Sequence, residues 1–383
     1  MVTDSRRKSG RAARSAQCKE RGGRGRVRLA HAPDALRCLE KERLRLPTDL
    51  FLAASAWPDG SLAHVVPPSC DRGVVAAPAG ATDGEDLVLT LPEWRPRRPA
   101  HRLVPALSAL GESPLGFRFE LSAFAADSWS PQVVGATVGQ ARFAHGVTRA
   151  QTLVCEIDEF IANPPAERVR VVLRASAPGA SLTAPWCVSL SAWTPGTDER
   201  PANDGVRLVV PAFSQMEEDD ALRHRVCSPT CVAMVLAYYG TPVAVADIAQ
   251  EMFQPELDLY GVWPAAIRAA GRRGIGGYLL RFPDWAAAAW CLERGMPVIA
   301  SVRYDAGELT GAAIVQTSGH LLVLTGYADG EVFVNDPAAP RAAEVARRYR
   351  LDELRRVWLA RSGVGYVLFA PTSPARDPTP PAR

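Results

Sequence analysis

Four side chains in this sequence could together perform acyl transfer: the Cys227 thiol, the His320 imidazole, the Asp336 carboxylate and the Gln215 amide. A thiolate attacks a carbonyl carbon. It needs a base, a group that orients the base, and donors for the oxyanion that develops. Cys227 lies in Arg225-Val-Cys227-Ser-Pro229-Thr-Cys231-Val-Ala-Met-Val-Leu-Ala-Tyr-Tyr-Gly240, where a polar stretch gives way to an apolar helical one. The thiol therefore falls on the first turn of a helix. Unpaired N–H groups and the helix dipole converge there and favour thiolate over thiol.

The elements around these residues must bring them together. The helix is predicted over Pro229–Tyr239, with Gly240 closing it as the C′ residue. His320 opens an apolar strand, Gly319-His320-Leu-Leu-Val-Leu-Thr-Gly-Tyr327, and the next strand ends at Val334-Asn335-Asp336-Pro337. Asp329-Gly330 between them is a hairpin signal, so the start of one strand meets the end of the next. Register decides which side chain faces His320. A two-residue loop sets Asp336 opposite Val323, on the other face, and leaves Asn335 on the His320 face. A three-residue loop Ala328-Asp329-Gly330 pairs Asp336 with Leu322, on the His320 face. The second is chosen because a carboxylate stabilises an imidazolium better than an amide does. Asn335 is the runner-up orienter. Gln215, in Ser214-Gln215-Met216, could donate its amide to an oxyanion beside the Cys227 N–H.

The rest divides into three regions. Residues 1–45 are Arg-rich and lack a core pattern. Residues 48–200 alternate as strands, including Asp86–Leu91, Phe117–Phe124, Arg168–Arg174 and Trp186–Trp193, which predicts a β-sandwich accessory domain. Pro195–Gly205 reads as a linker. Residues 206–370 mix helices (Val243–Phe253, Trp263–Gly271, Asp284–Arg294, Leu351–Trp358) with strands (Ile275–Phe282, Pro297–Tyr304, His320–Tyr327, Glu331–Asn335, Val364–Ala370). That order predicts an α+β domain with an antiparallel sheet. Residues 371–383 form a Pro-rich tail expected to be disordered.

Pro211-Ala-Phe-Ser-Gln215, the stretch Cys227–Gly240, Gly319–Tyr327 and Val334-Asn-Asp336-Pro337 together resemble the C39-like branch of the papain-like cysteine peptidases. The resemblance covers residues of about 208–370. It implies Gln215 as oxyanion donor, Cys227 as nucleophile, His320 as base and Asp336 as orienter. The preceding β region is similar to an accessory domain found before this unit in some bacterial proteins. Two positions depart from the family pattern. Ser228 stands where Gly is usual, which would narrow the site or alter substrate choice. Cys231 stands where Ser or Ala is usual, one turn after Cys227. It could fill the core, pair with Cys227 in a disulfide or compete as a nucleophile, and filling is preferred.

Composition sets the remaining bounds. The chain has 383 residues and a net charge of +3. Ten Arg or Lys against Asp4 and Glu20 put +8 on residues 1–30, leaving −5 elsewhere. A nucleic-acid partner is not expected. No apolar run is long enough for a membrane span. No apolar segment follows Arg6-Arg7-Lys8, so a cytoplasmic location is expected, or secretion if the true start differs. The eight cysteines show no paired zinc spacing. His224-x-x-Cys227-x-x-x-Cys231 lacks a fourth ligand, and neither a metal nor another cofactor is expected. The expected partner is a peptide or protein substrate, and the expected activity is that of a cysteine peptidase. The alternatives are an amide transferase using the same thiol, or a catalytically silent protein whose β domain holds a glycan or protein ligand. For the glycan, Trp129, Trp186 and Trp193 are the candidates.

Overall fold

The computed structural model describes residues 48–55, 57, 61–76, 79–111, 116–176, 185–193 and 205–371. The expectations for 1–45, for the linker before Gly205 and for the tail beyond Pro371 lie outside the described residues.

The N-terminal half is built from short strands. These are β1 (Thr48–Ser55), β2 (Cys70–Ala76), β3 (Ala81–Asp83), β4 (Asp86–Thr90), β5 (Ala100–Ala109), β6 (Gly116–Ala125), β7 (Ser128–Trp129), β8 (Val133–Val134), β9 (Val138–Gly139), β10 (Leu153–Glu156), β11 (Glu159–Ala166), β12 (Arg168–Ser176) and β13 (Trp186–Trp193). They form one sheet in the order β10-β11-β5-β13-β1-β2 and another in the order β3-β4-β12-β6-β7, with β8 and β9 also pairing β6. Along β12 the buried residues alternate, Val169, Val171 and Leu173 pointing inward. They meet Phe117, Phe119 and Leu121 of β6, and Val104, Leu107 and Leu190 of the other sheet, in one shared core.

Pairing is antiparallel in these two sheets except between β1 and β2, which run parallel. Strand β5 is absent from the sequence reading because Pro105 interrupts its apolar run, and proline disfavours a sheet interior. The sheet admits it because β11 pairs with β5 only as far as Leu103, so no ladder bond is needed from residue 105 on that side.

The C-terminal half begins with β14 (Val206–Arg207), then α1 (Cys227–Tyr238), α2 (Val245–Met252) and α3 (Trp263–Gly271). Strand β15 (Gly276–Arg281) and α4 (Trp285–Glu293) follow, then β16 (Val298–Tyr304), β17 (Thr317–Ala328), β18 (Glu331–Asn335), β19 (Ala346–Arg350), α5 (Leu351–Val357) and β20 (Val364–Phe369). The antiparallel sheet runs β15-β20-β16-β17-β18-β19, and β14 pairs with β17. The fold is thus α+β, with the helices ahead of the consecutive strands as the order of elements implies. Asp284 caps α4 by accepting the Ala287 N–H at 2.8 Å.

The halves share side-chain and backbone bonds. Ser108 Oγ accepts from Gly277 N, and Ser191 Oγ from Arg281 N, each at 3.1 Å. The end of α3 touches β5 so closely that a Cβ on Gly271 would lie 2.3 Å from the Ala109 carbonyl oxygen. Glycine is required there by contact, not by turn geometry.

Candidate active site

Cys227 is the first residue of α1 and half-buried, with its N-cap Val226 offering no side-chain bond. The backbone N–H groups of Ser228 and Leu321 and the His320 ring are placed to favour its thiolate form. Burial pushes the thiol up, but these donors and the imidazolium charge outweigh it, and its pKa lies below the ordinary thiol value.

His320 lies on β17 and is almost wholly buried. Its Nε2–H donates to Asp336 Oδ1 at 2.8 Å, which leaves Nδ1 for the sulfur. Burial alone would neutralise the ring. The Asp336 charge and hydrogen bond, joined by the Cys227 sulfur, instead raise it to about 10. Asp336 has no exposed surface. Tyr349 Oη donates to its Oδ2 at 2.6 Å, and Ala338 N–H to its Oδ1 at 3.1 Å. Burial alone would raise the carboxyl, yet the His320 charge and these three donors hold it below the usual range. A carboxylate this deep would cost several kcal/mol without such partners. The lowered thiol and the raised imidazole thus both favour their charged forms, with the Asp336 carboxylate behind the ring.

The hairpin that creates this arrangement differs from the one the sequence suggests. Ala328 pairs with Glu331, so the loop is the two residues Asp329-Gly330, both at positive φ (51° and 76°). The expected three-residue loop is therefore incorrect. Yet Val323 pairs with Asn335, a register that carries Asp336 to the His320 face. The missing offset comes from a bulge between Leu324 and Gly326. The sequence reading did not foresee it, because β14 makes it possible. Thr325 O accepts from Leu208 N at 2.7 Å, and a Cβ on Gly326 would come within 2.1 Å of Val206 O.

The supporting residues divide. Asn335 does not orient the imidazole. Its Nδ2 donates to the Val210 and Pro211 carbonyls at 3.1 and 3.2 Å, on the face the bulged register assigns it. Ser228 is fully buried and its hydroxyl bonds Tyr366 Oη at 3.1 Å, so it packs under the helix and does not narrow the cleft. Cys231 is a free, fully buried thiol in the core, as is Cys291, and burial raises both. Cys227 and Cys231 form no disulfide.

Gln215 is buried in a one-turn helix, Gln215–Glu217, capped by Ser214. Its N–H bonds Pro337 O at 2.9 Å, and its Nε2 donates to Arg223 O at 2.7 Å. The amide thus spans from the turn after Asp336 to the segment leading into Cys227. One Nε2 hydrogen remains for another acceptor.

Two contributors escaped the sequence reading. Tyr349 is a lone aromatic within Arg347-Arg-Tyr349-Arg350, and no spacing rule marks it. The other is the β10–β11 hairpin. Cys227 lines a cleft of about 600 Å³ whose walls include His224, Ser318, Gly319 and Leu321, together with Glu156, Ile157, Asp158 and Glu159 of that hairpin. The aromatic side chains considered for a glycan are placed otherwise. Trp186 is buried in the core, Trp193 lies under the Arg281 guanidinium at 4.3 Å, and Trp129 lies under Arg170 at 3.9 Å.

A thiol at a helix start, backed by an imidazole and a carboxylate from a sheet hairpin, is the set of groups that acyl transfer through sulfur requires. Residues 207–366 match the Peptidase_C39 like family. No curated protein matches the chain. Among solved structures, the double-glycine-motif protease of an AMS/PCAT transporter in complex with its leader peptide is 19% identical. It covers 43% of this chain and 94% of that one, with a TM-score of 0.30. The peptidase domain of Streptococcus ComA, a bifunctional ABC transporter of a quorum-sensing pathway, is 17% identical over 42% and 98%, with a TM-score of 0.30. A C39-like peptidase from Bacillus anthracis is 18% identical over 43% and 98%, with a TM-score of 0.35. Overlap at that level adds nothing to the reading of the site. Among the described residues no helix is long and apolar enough to cross a membrane, and no group of three His, Cys, Asp or Glu is placed to hold a metal ion.

Proposed function

We propose that this protein hydrolyses peptide bonds through Cys227. The observation that carries the reading is His320, bonded to Asp336 through Nε2 at 2.8 Å and placed where its charge lowers the Cys227 thiol. The thiolate adds to the peptide carbonyl carbon. The oxyanion takes hydrogen bonds from the Cys227 N–H and the Gln215 Nε2. The C–N bond then breaks, His320 gives its proton to the departing amine, and a thioester remains. Water attacks the thioester while His320 takes back a proton, releasing the acid and the thiolate. Asp336 keeps the ring oriented and its charge balanced in both half-reactions. If an amine replaces water, the same thioester yields amide transfer, and the active-site geometry serves either acceptor.

We take Val206 as the start of the peptidase unit and the two preceding sheets as its accessory domain.

The test is direct. Cys227→Ala should abolish turnover of a fluorogenic peptide library and remove iodoacetamide labelling. Labelling that persists in that variant at Cys231, or undiminished turnover, would refute the assignment.

A further inference from the structure

Building on the peptidase reading, we infer that the β10–β11 hairpin of the accessory domain is a wall of the substrate cleft. Its Ile157 selects peptides that carry a bulky apolar side chain close to the scissile bond.

The hairpin tip is a two-residue connection, Ile157-Asp158, between Glu156 and its cross-strand partner Glu159. The Asp158 N–H bonds the Glu156 carbonyl at 2.8 Å around Ile157 at φ 62°. That is a γ-turn of the rare, left-handed kind. Glycine or asparagine would accept the conformation far more readily than a β-branched residue. Folding therefore gives no reason for isoleucine at this point. Ile157 is also 47% exposed, so core packing gives none either.

The surroundings of the tip supply one. Ile157 and Leu259 are two of the six large apolar side chains that are exposed among the described residues, and both line the cleft that holds Cys227. Tyr260 and Trp263 line the same cleft. An apolar surface set in a concavity beside a reactive thiol is what recognition of an apolar group requires.

The tip is also fixed in place. Asp158 Oδ2 accepts the Trp263 N–H at 2.6 Å at the start of α3. Glu159 pairs with Arg281 at 3.0 Å and with Arg102. The Ile157 carbonyl accepts from Ala136 N at 3.0 Å. Restrained on both sides, the isoleucine is a preorganised contact and not a mobile flap.

The experiment is a positional-scanning fluorogenic peptide library turned over by the wild type and by Ile157→Gly and Ile157→Trp. Iodoacetamide alkylation of Cys227 and thermal melting are followed in parallel. The wild type should prefer large aliphatic or aromatic residues at one library position. Ile157→Gly should weaken that preference by about 10-fold, the scale of losing a few buried methylenes, through KM more than kcat. Ile157→Trp should move the preference to smaller residues. Alkylation should stay at or above the wild-type rate in both variants. A wild-type library profile in both variants overturns this inference and leaves the peptidase reading standing. A wild type that cleaves no member, while Cys227 still alkylates, overturns both.

Discussion

Two hairpins deliver a buried aspartate to the same cleft neighbourhood, and they do so under opposite rules. The β17–β18 hairpin turns at Asp329-Gly330, residues suited to positive φ, and brings Asp336 to His320. The β10–β11 hairpin turns at Ile157-Asp158, with a residue ill-suited to its conformation, and anchors Asp158 on α3. Their carboxyls diverge accordingly. Asp336 faces an imidazolium and accepts three hydrogen bonds, and is held low. Asp158 is desolvated, has the like-charged Glu159 beside it, and gains partial relief from the Trp263 N–H. It is pushed up to about 7. A buried aspartate is thus no role in itself; the charge facing it decides which protonation state it keeps.

The sharpest break in that comparison is Asp336→Asn. It keeps the shape and removes the charge facing His320. Turnover should fall by about 100-fold or more, the scale of a mispositioned or unbalanced base. Alkylation against pH gives the cause. In the wild type the Cys227 rate should level off at a lower pH than for an ordinary thiol, since its pKa is lowered while His320 stays charged to about 10. In the variant the rise should move to higher pH, towards the ordinary thiol range. An unshifted profile in Asp336→Asn would show that the carboxylate does not sustain the lowered thiol. Stability should carry the same signature. The raised His320 stabilises the fold fully below its unfolded pKa of about 6.5, and that contribution is lost as pH rises through about 10. The lowered Asp336 contributes above about 3.9 and loses it as pH falls.

Gly326→Ala probes how the first hairpin reaches its register. The added Cβ would meet Val206 O at 2.1 Å, so β14 must shift or the bulge must relax. The cost should be about 2–3 kcal/mol in urea unfolding, as for other strained backbone sites. Activity should fall further than melting does, because the bulge determines the face on which Asp336 lies. Equal losses in both would make the bulge merely structural.

Legibility follows the same division. Helix α3 and strands β13 and β18 end where apolar periodicity and breakers place them, because local sequence and burial agree there. Cys227, His320 and Asp336 are readable as candidates because Cys227 opens an apolar helical run, His320 heads the apolar stretch of β17 and Asp336 directly follows β18. The register was reached through an incorrect loop, because the bulge depends on the contact with Val206, which is 120 residues away in sequence from Gly326. Tyr349, Ile157 and Asp158 were illegible for a related reason. Each acts across a tertiary contact and leaves no period or motif of its own.

Asp158→Asn is the second hairpin's counterpart to Asp336→Asn, and the sign should reverse. A carboxyl raised from an unfolded value near 3.9 to about 7 makes the folded state bind the extra proton. Its stabilising preference is full at acid pH and disappears as pH rises through about 7. The amide should still accept from Trp263 N without titrating. Measured against wild type, the variant should therefore gain stability between pH 4 and pH 8, by a few kcal/mol at most. A difference that does not change with pH would mean Asp158 ionises normally, and the contrast between the two aspartates would collapse.

The smallest effect isolates the turn itself. Ile157→Gly places at the tip the residue its φ favours, and should raise stability by about 1 kcal/mol, the scale of a left-handed penalty for a residue with a Cβ. Glycine also frees the unfolded chain and so takes back part of that gain. Even a net change near zero is therefore informative, since truncating an isoleucine that supported the fold would cost 2 kcal/mol or more. The same substitution should blunt selection among peptides. Stability held or gained while selectivity is lost would show that strain is retained at the β10–β11 tip for contact with substrate. A clear loss of stability would make Ile157 a packing residue, and the two hairpins would then differ only in how well their turns suit their sequences.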